Sequence, residues 1–162
     1  MKFGLTGDTH NNLKNIDAIC DIFNERGLDF AIHTGDITLP KSLEKFIALK
    51  IPLHGVFGNN DQGDKNYLKD VCDKLSFDFK DEVNILTKSG KKIYIVHDPL
   101  HIQDSFYGHK KIIVHGHTHR FRSEIIKNTP IFNPGECAGF IKGSNSVGIV
   151  DIVEDKMEII KF

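Results

Sequence analysis

Apolar and polar positions alternate between two periods along this chain, and the changes of period divide it into elements. The segment Lys2–Gly7, "KFGLTG", is short and apolar enough for a buried strand. Residues 13–26 follow with Leu13, Ile16, Cys20 and Phe23 at helical spacing. A second strand is expected over 29–35, "DFAIHTG". A helix from about Lys41 comes next, with Leu43, Phe46 and Ile47 on one face. A third strand, 52–58 or "PLHGVFG", precedes a helix marked by Tyr67, Leu68, Val71, Cys72 and Leu75. This alternation predicts a parallel sheet covered by helices. The second half changes character. Residues 84–98 read as a hairpin around Ser89-Gly90, and 110–116, "KKIIVHG", as a further strand. Residues 123–133 and 145–162 read as hairpins turning near Asn128 and Glu154-Asp155. The C-terminal half is thus expected to be mostly antiparallel, with two packed sheets and helices outside.

Composition narrows this only a little. At 162 residues the chain is expected to form one domain, 1–162, large enough to bury a core without disulfides. The formal charge of −1 supplies no basic field for nucleic acid or anionic lipid. No apolar run is long enough to span a bilayer, and the N-terminus turns polar too soon for a signal peptide. Three widely spaced cysteines, Cys20, Cys72 and Cys137, fit reduced thiols in a cytoplasmic protein. Nine histidines are many for this length.

Those histidines, with carboxylates, collect where strands stop. The first strand runs into Asp8 and His10, the second into Asp36, the third into Asn59-Asn60-Asp61. The strand of 91–96 runs into His97, and that of 110–116 into His117 and His119 within "HGHTH". Strands leaving one edge of the sheets would converge these side chains in one crevice. Glycines 7, 35, 58 and 116 each come just before a candidate ligand and allow close backbone approach. The set Asp8, His10, Asp36, Asn59, His97, His117 and His119 holds carboxylates, imidazoles and one amide, with no thiolate. Seven ligands exceed one tetrahedral ion and suit two ions sharing a carboxylate. Mixed nitrogen and oxygen ligation favours divalent transition metals, Mn²⁺ or Ni²⁺ first and Fe²⁺, Zn²⁺ or Co²⁺ besides, over Ca²⁺. Each motif has a plainer reading alone: a turn for "GNND", a satisfied histidine for His97, a helix cap for Asn11 or Asn12. His33 and His54 lie within apolar strands and read as structural. Strand alternation would put His115 on the side of His117, although packing is its better assignment. His101, in "HDPLH", stands where it would reach a substrate. Arg120 and Arg122 read as a solvated strand face rather than as phosphate ligands.

Taken in order, "GDTH", "GD" at 35–36, "GNND" at 58–61, "VHD" around His97 and "GHTH" at 116–119 resemble the calcineurin-like metallophosphoesterase superfamily, whose pattern is D-x-H, G-D, G-N-H-[D/E], a lone His and G-H-x-H. The match spans 7–119, and the length is similar to that of the small, single-domain phosphodiesterase branch. "NPGE" at 133–136 resembles a loop of that branch, typically "NPGS". The resemblance implies an α/β, four-layer sandwich of two mixed β-sheets flanked by helices. It implies one ion on Asp8, His10, Asp36 and His119, and a second on Asp36, Asn59, His97 and His117, with Asp36 bridging. Two ions about 3.5–4 Å apart would make hydroxide at neutral pH for in-line attack on phosphorus. Asp36, His97, Asn59 and Asn60 are then the catalytic candidates. One departure stands out: the family's histidine that serves the leaving group is Asn60 here, and an amide donates a hydrogen bond but no proton. Asp61, next to it, would orient that imidazole in the family pattern, or cap the helix that follows Gly63. The expected substrate is a small phosphate ester, with no membrane and no nucleic-acid partner. The oligomeric state stays open, a homodimer included. The alternatives are a metal-binding interaction scaffold of the same fold, a nuclease, or a protein phosphatase. The last two usually need further domains or substrate-binding elements.

Overall fold

The computed structural model describes residues 1–162. Eleven strands form two sheets. The first is ordered β11-β10-β1-β2-β3-β4, with β1 Lys2–Thr6, β2 Phe30–His33, β3 Leu53–Val56, β4 Asp78–Lys80, β10 Ser146–Asp151 and β11 Lys156–Lys161. Strands β1 to β4 run parallel, and β10 pairs antiparallel with both β1 and β11. The second is ordered β5-β6-β7-β9-β8, with β5 Val83–Lys88, β6 Lys91–Val96, β7 Lys111–Val114, β8 Arg122–Ile126 and β9 Thr129–Asn133. Both sheets are mixed, and the pair is flanked by α-helices on the first sheet's outer face and by short 3₁₀ turns on the second's. The three predicted hairpins form, with turns at Ser89-Gly90 and Lys127-Asn128 in left-handed backbone. They do not lie side by side, however. The last joins the first sheet, and β7 pairs parallel with both β6 and β9. The C-terminal half is therefore less antiparallel than its hairpins suggest.

Alternation along β1 explains the layering. Phe3 and Leu5 point into a core between the sheets, meeting Phe30, Ile32 and Val56 from their own sheet and Ile93, Ile95, Ile112 and Val114 from the other. The opposite face carries α1 Leu13–Glu25, α2 Pro40–Lys45 and α3 Lys65–Leu75. Their buried Ile16, Ile19, Phe23, Leu43 and Leu68 form a second core there. α2 is cut short: the chain passes into a 3₁₀ turn at Phe46–Ala48, which buries Phe46 and turns Ile47 out to solvent. Tyr67 also points outward, away from the apolar stripe of α3. Over the second sheet the outer layer is two single 3₁₀ turns, Pro99–His101 and Asp104–Phe106, with Phe106 stacked on Tyr94. Asn12 caps α1, its side chain accepting from the Asn15 N–H. All three cysteines are free and buried. No helix is long and apolar enough to cross a membrane.

Candidate metal centre

The parallel strands of both sheets end at one edge, and their continuations carry the candidate residues into one crevice. The backbone there is not extended. Asp8, His10, Asp36, His117 and His119 all adopt positive φ, between 46° and 68°. For residues other than glycine this is uncommon and costs free energy, so the surrounding contacts must impose it. Two glycines make room. A Cβ on Gly58 would lie 2.5 Å from the Asp36 nitrogen, and one on Gly116 would lie 2.6 Å from Asp8 Oδ2.

The side chains fall into two groups whose ligand atoms lie within 4.8 Å of one another: Asp8, His10 and His119, and Asp36, His97 and His117. In the second group Asn59 Oδ1 is 2.9 Å from His97 Nε2 and 3.1 Å from His117 Nδ1. His97 Nε2 is also 3.4 Å from Asp36 Oδ2. Nδ1 of His97 donates to the Thr34 carbonyl at 2.9 Å, which turns Nε2 toward the group. In the first group His119 Nε2 is 3.7 Å from Asp8 Oδ1, and Asp8 accepts the His117 N–H. His10 Nε2 is buried with no hydrogen-bond partner. Such an atom is costly unless something coordinates it. An orphaned imidazole nitrogen beside a buried carboxylate fits a divalent ion, as does the oxygen and nitrogen donor set of the other group.

Charge in the crevice is unevenly held. Burial alone would raise Asp36, but hydrogen bonding and charge from His97, with two bonds from Asn60, hold its carboxyl far below the usual range. Burial likewise opposes protonation of His97, yet Asp36 and then Asp8 outweigh it and raise the imidazole. Asp8, with weaker compensation from His97 and His119, is pushed by burial up to about 6. Burial lowers His10.

The neighbouring residues depart from expectation in several places. Asn60 does not reach out toward a leaving group: its amide Nδ2 donates to Asp36 Oδ2 at 2.7 Å and its backbone N–H to Oδ1 at 2.8 Å. Asp61 neither orients an imidazole nor caps α3. Its carboxylate accepts four backbone N–H groups, those of Asp36, Ile37, Thr38 and Gly58, and so ties the second strand's loop to the third's. The chain leaves β7 at Val114, so strand alternation does not apply to "HGHTH". His115 turns inward, donates from Nδ1 to the Gly116 carbonyl and accepts from Arg122 at Nε2; burial depresses it to about 4. Arg122 is thereby engaged by His115 and, through Nε, by the Glu124 carboxylate. His33 is wholly buried between Thr9 and the Gly35 N–H, and burial lowers it to about 3. His101 lines a cleft with Asn59, His97 and His117, within reach of a ligand there.

One participant was not among the candidates. Glu136, 3 % exposed, places Oε2 2.5 Å from His119 Nδ1, which leaves Nε2 facing Asp8. It follows β9 as the other site residues follow their strands. The signal was "NPGE" at a strand end, with an acid where the resembling loop has serine.

Comparison with known proteins supplies the family. Residues 1–155 match the family model for the calcineurin-like phosphoesterase superfamily domain. The chain is 31% identical over 161 residues to phosphodiesterase MJ0936 of Methanocaldococcus jannaschii, covering 93% of each. A structure described as a novel archaeal phosphodiesterase superposes with a TM-score of 0.90 at 27% identity over 100% of both chains. The Escherichia coli phosphoesterase Yfce shares the fold, with a TM-score of 0.71 at 18% identity over 99% of this chain and 98% of that one. The fold, the order of the site motifs and the family match together assign the chain to the calcineurin-like phosphoesterase superfamily, as a hydrolase of phosphate esters.

Proposed function

We propose that the chain is a binuclear metal-dependent phosphodiesterase acting on small phosphate esters in the cytoplasm. Asp8, His10, Asp36 and His119 would hold one divalent ion, and Asp36, Asn59, His97 and His117 the other, Mn²⁺ or Ni²⁺ by preference. The observation that carries this reading is the convergence of Asp36, Asn59, His97 and His117 beside a buried His10 nitrogen that has no partner. Bound ions would supply an activated water and neutralise charge on the phosphoryl oxygens. The chain's own residues do the rest. Asp36 stays ionised and is held in one orientation by both donors of Asn60. The Thr34 carbonyl fixes the His97 tautomer, and Glu136 fixes that of His119. Asn60 has no proton to transfer, so departure of the ester oxygen depends on its own basicity or on His101. The diesterase activity of the Methanocaldococcus relative supports diester over monoester substrates.

The test is metal content and hydrolysis measured together. Metal-stripped protein titrated with Mn²⁺ should take up two ions per chain and gain hydrolysis of bis(p-nitrophenyl) phosphate in step. A ratio that saturates at one ion would remove the second centre from this account. Two ions without hydrolysis would favour the metal-binding scaffold.

A further inference from the structure

Next to the first ligand group, His119 and Glu136 also form one wall of a cleft of about 480 Å³. Phe121, Ile141 and Ile159 give it apolar side chains, Ser144 and Ser146 stand among them, and Lys161 adds one cation. Phe121 and Ile141 are 58% and 59% exposed. A cluster of large apolar side chains left in water beside a reactive centre marks a binding surface more often than chance. The wall is fixed to the centre. Glu136 Oε1 accepts the Phe140 N–H at 3.0 Å while Oε2 holds His119, so a single carboxylate sets both. The Phe140 ring stacks on His119 at 5.6 Å and 17°, and lies 5.1 Å from His10. Asn12 Nδ2 ties the same loop to the start of α1 through the Ala138 carbonyl.

The cleft on the other side of the centre has the opposite character. Asp81, Glu82 and Asp98 line it, and its one lysine, Lys65, is already paired with Asp81 at 3.2 Å. An anionic diester gains nothing by pressing an apolar substituent into that acidic wall. The apolar cleft offers burial and a nearby cation instead. From this contrast we infer that the cleft bounded by Phe121, Ile141 and Ile159 is a subsite for a flat aromatic ester group, held while the phosphoryl group sits at the metal centre. The inference rests on the phosphodiesterase reading and adds a substrate class to it: phosphate esters with an aromatic substituent.

Phenylphosphonate and methylphosphonate separate the two claims, because they share a phosphoryl anion and differ in the ring. Calorimetry on the Mn²⁺-loaded protein should show phenylphosphonate binding roughly tenfold more tightly, the scale expected for burying part of an aromatic ring. Phe121→Ser with Ile141→Ser alters two exposed side chains, so the fold should persist. It should erase that preference and leave methylphosphonate affinity unchanged. Equal binding of the two phosphonates by the wild-type protein, or a preference that survives the double substitution, would overturn the subsite and leave the metal centre standing. A Mn²⁺-loaded protein that hydrolyses bis(p-nitrophenyl) phosphate but binds neither phosphonate would also overturn the subsite and leave the phosphodiesterase reading standing, whereas one that hydrolyses no diester would overturn that reading, and the subsite with it.

Discussion

Single residues decide how firmly the ligand atoms are aimed. Glu136 is the clearest case, because removing its charge leaves the fold's apolar cores untouched. Glu136→Gln keeps the shape but gives up the charge-assisted bond to His119 Nδ1. Loss of an outer carboxylate behind a metal-binding histidine typically costs about 10–100-fold in metal affinity. Of the two proposed Mn²⁺ sites, the one that includes His119 should weaken by that order, while the one on Asp36, His97 and His117 keeps its affinity; a two-site titration would show it. Uniform weakening of both would mean that Glu136 acts on the loop rather than on His119. Asn60 makes a second claim at this scale. With its amide on Asp36 and no proton to give, the rate should climb steeply as the leaving group becomes less basic. A series of aryl and alkyl methyl phosphodiesters reads that slope. A flat series would show that a general acid, with His101 in the same cleft as the candidate, already serves the leaving oxygen.

At the level of elements, the two sheets are joined near β4 by one buried amide. Asn84 Nδ2, at the start of β5, donates to the Gly55 carbonyl of β3 and to the Asp78 carbonyl of β4. Asn84→Ala would leave these acceptors without that donor, at a cost of about 1–3 kcal/mol. Urea denaturation should show the loss, with metal binding retained, because the ligands lie beyond the strand ends. Asp78 adds a pH signature. Burial opposes its ionisation, but hydrogen bonds from His54, Lys80 and Asn84 prevail and lower it from 3.8 to about 2. A depressed carboxyl stabilises the fold above its unfolded pKa, and that contribution disappears as pH falls through the folded value. Acid unfolding between about pH 4 and 2 should therefore be shallower in Asp78→Asn. None of this was legible in the sequence. β4 is three residues, "DFK", with too little alternation to register, and it exists because β3 offers an open edge. The elements with a full period, β1 to β3, α1 and the hairpins, were legible because burial on one face writes itself into the spacing of apolar residues. What spacing cannot carry is which strands pair. Reading β9 only as half of a hairpin hid its parallel partnership with β7, and with it the fact that Glu136 arrives at the same edge as His117. The Asp61 ties were hidden for a related reason, since a carboxylate that binds backbone N–H groups leaves no pattern in neighbouring side chains.

The molecule as a whole places its most strained backbone and its densest titratable groups at the same edge. Asp8, His10, Asp36, Thr38, His117 and His119 hold left-handed conformations there, each of order 1–3 kcal/mol when not glycine. Asp8 and Asp36 also repel each other across the crevice, and His10 keeps an unpartnered nitrogen. The cores on either side of the first sheet must hold this edge in place, so the metal-free fold is less stable than its packing alone would allow. Ions that bind only the folded chain reverse that deficit. Binding at 100 times the dissociation constant adds about 2.7 kcal/mol, and a chain of this size gains about 2–4 °C per kcal/mol. With two ions each at that excess the gain is about 5.4 kcal/mol, so saturating Mn²⁺ should raise the melting temperature by roughly 10–20 °C, and a chelator should return it to the metal-free value. Asp36→Asn weakens both proposed sites at once, because its carboxylate is the shared ligand, and the metal-induced rise should shrink to a small fraction. His33→Ala is the control: it removes a buried imidazole outside both ligand groups, so the metal-free protein should melt lower while the increment on adding Mn²⁺ stays nearly whole. An Asp36→Asn protein that still gains the full increment would place the ions elsewhere on the surface, and the bridged centre would have to be given up.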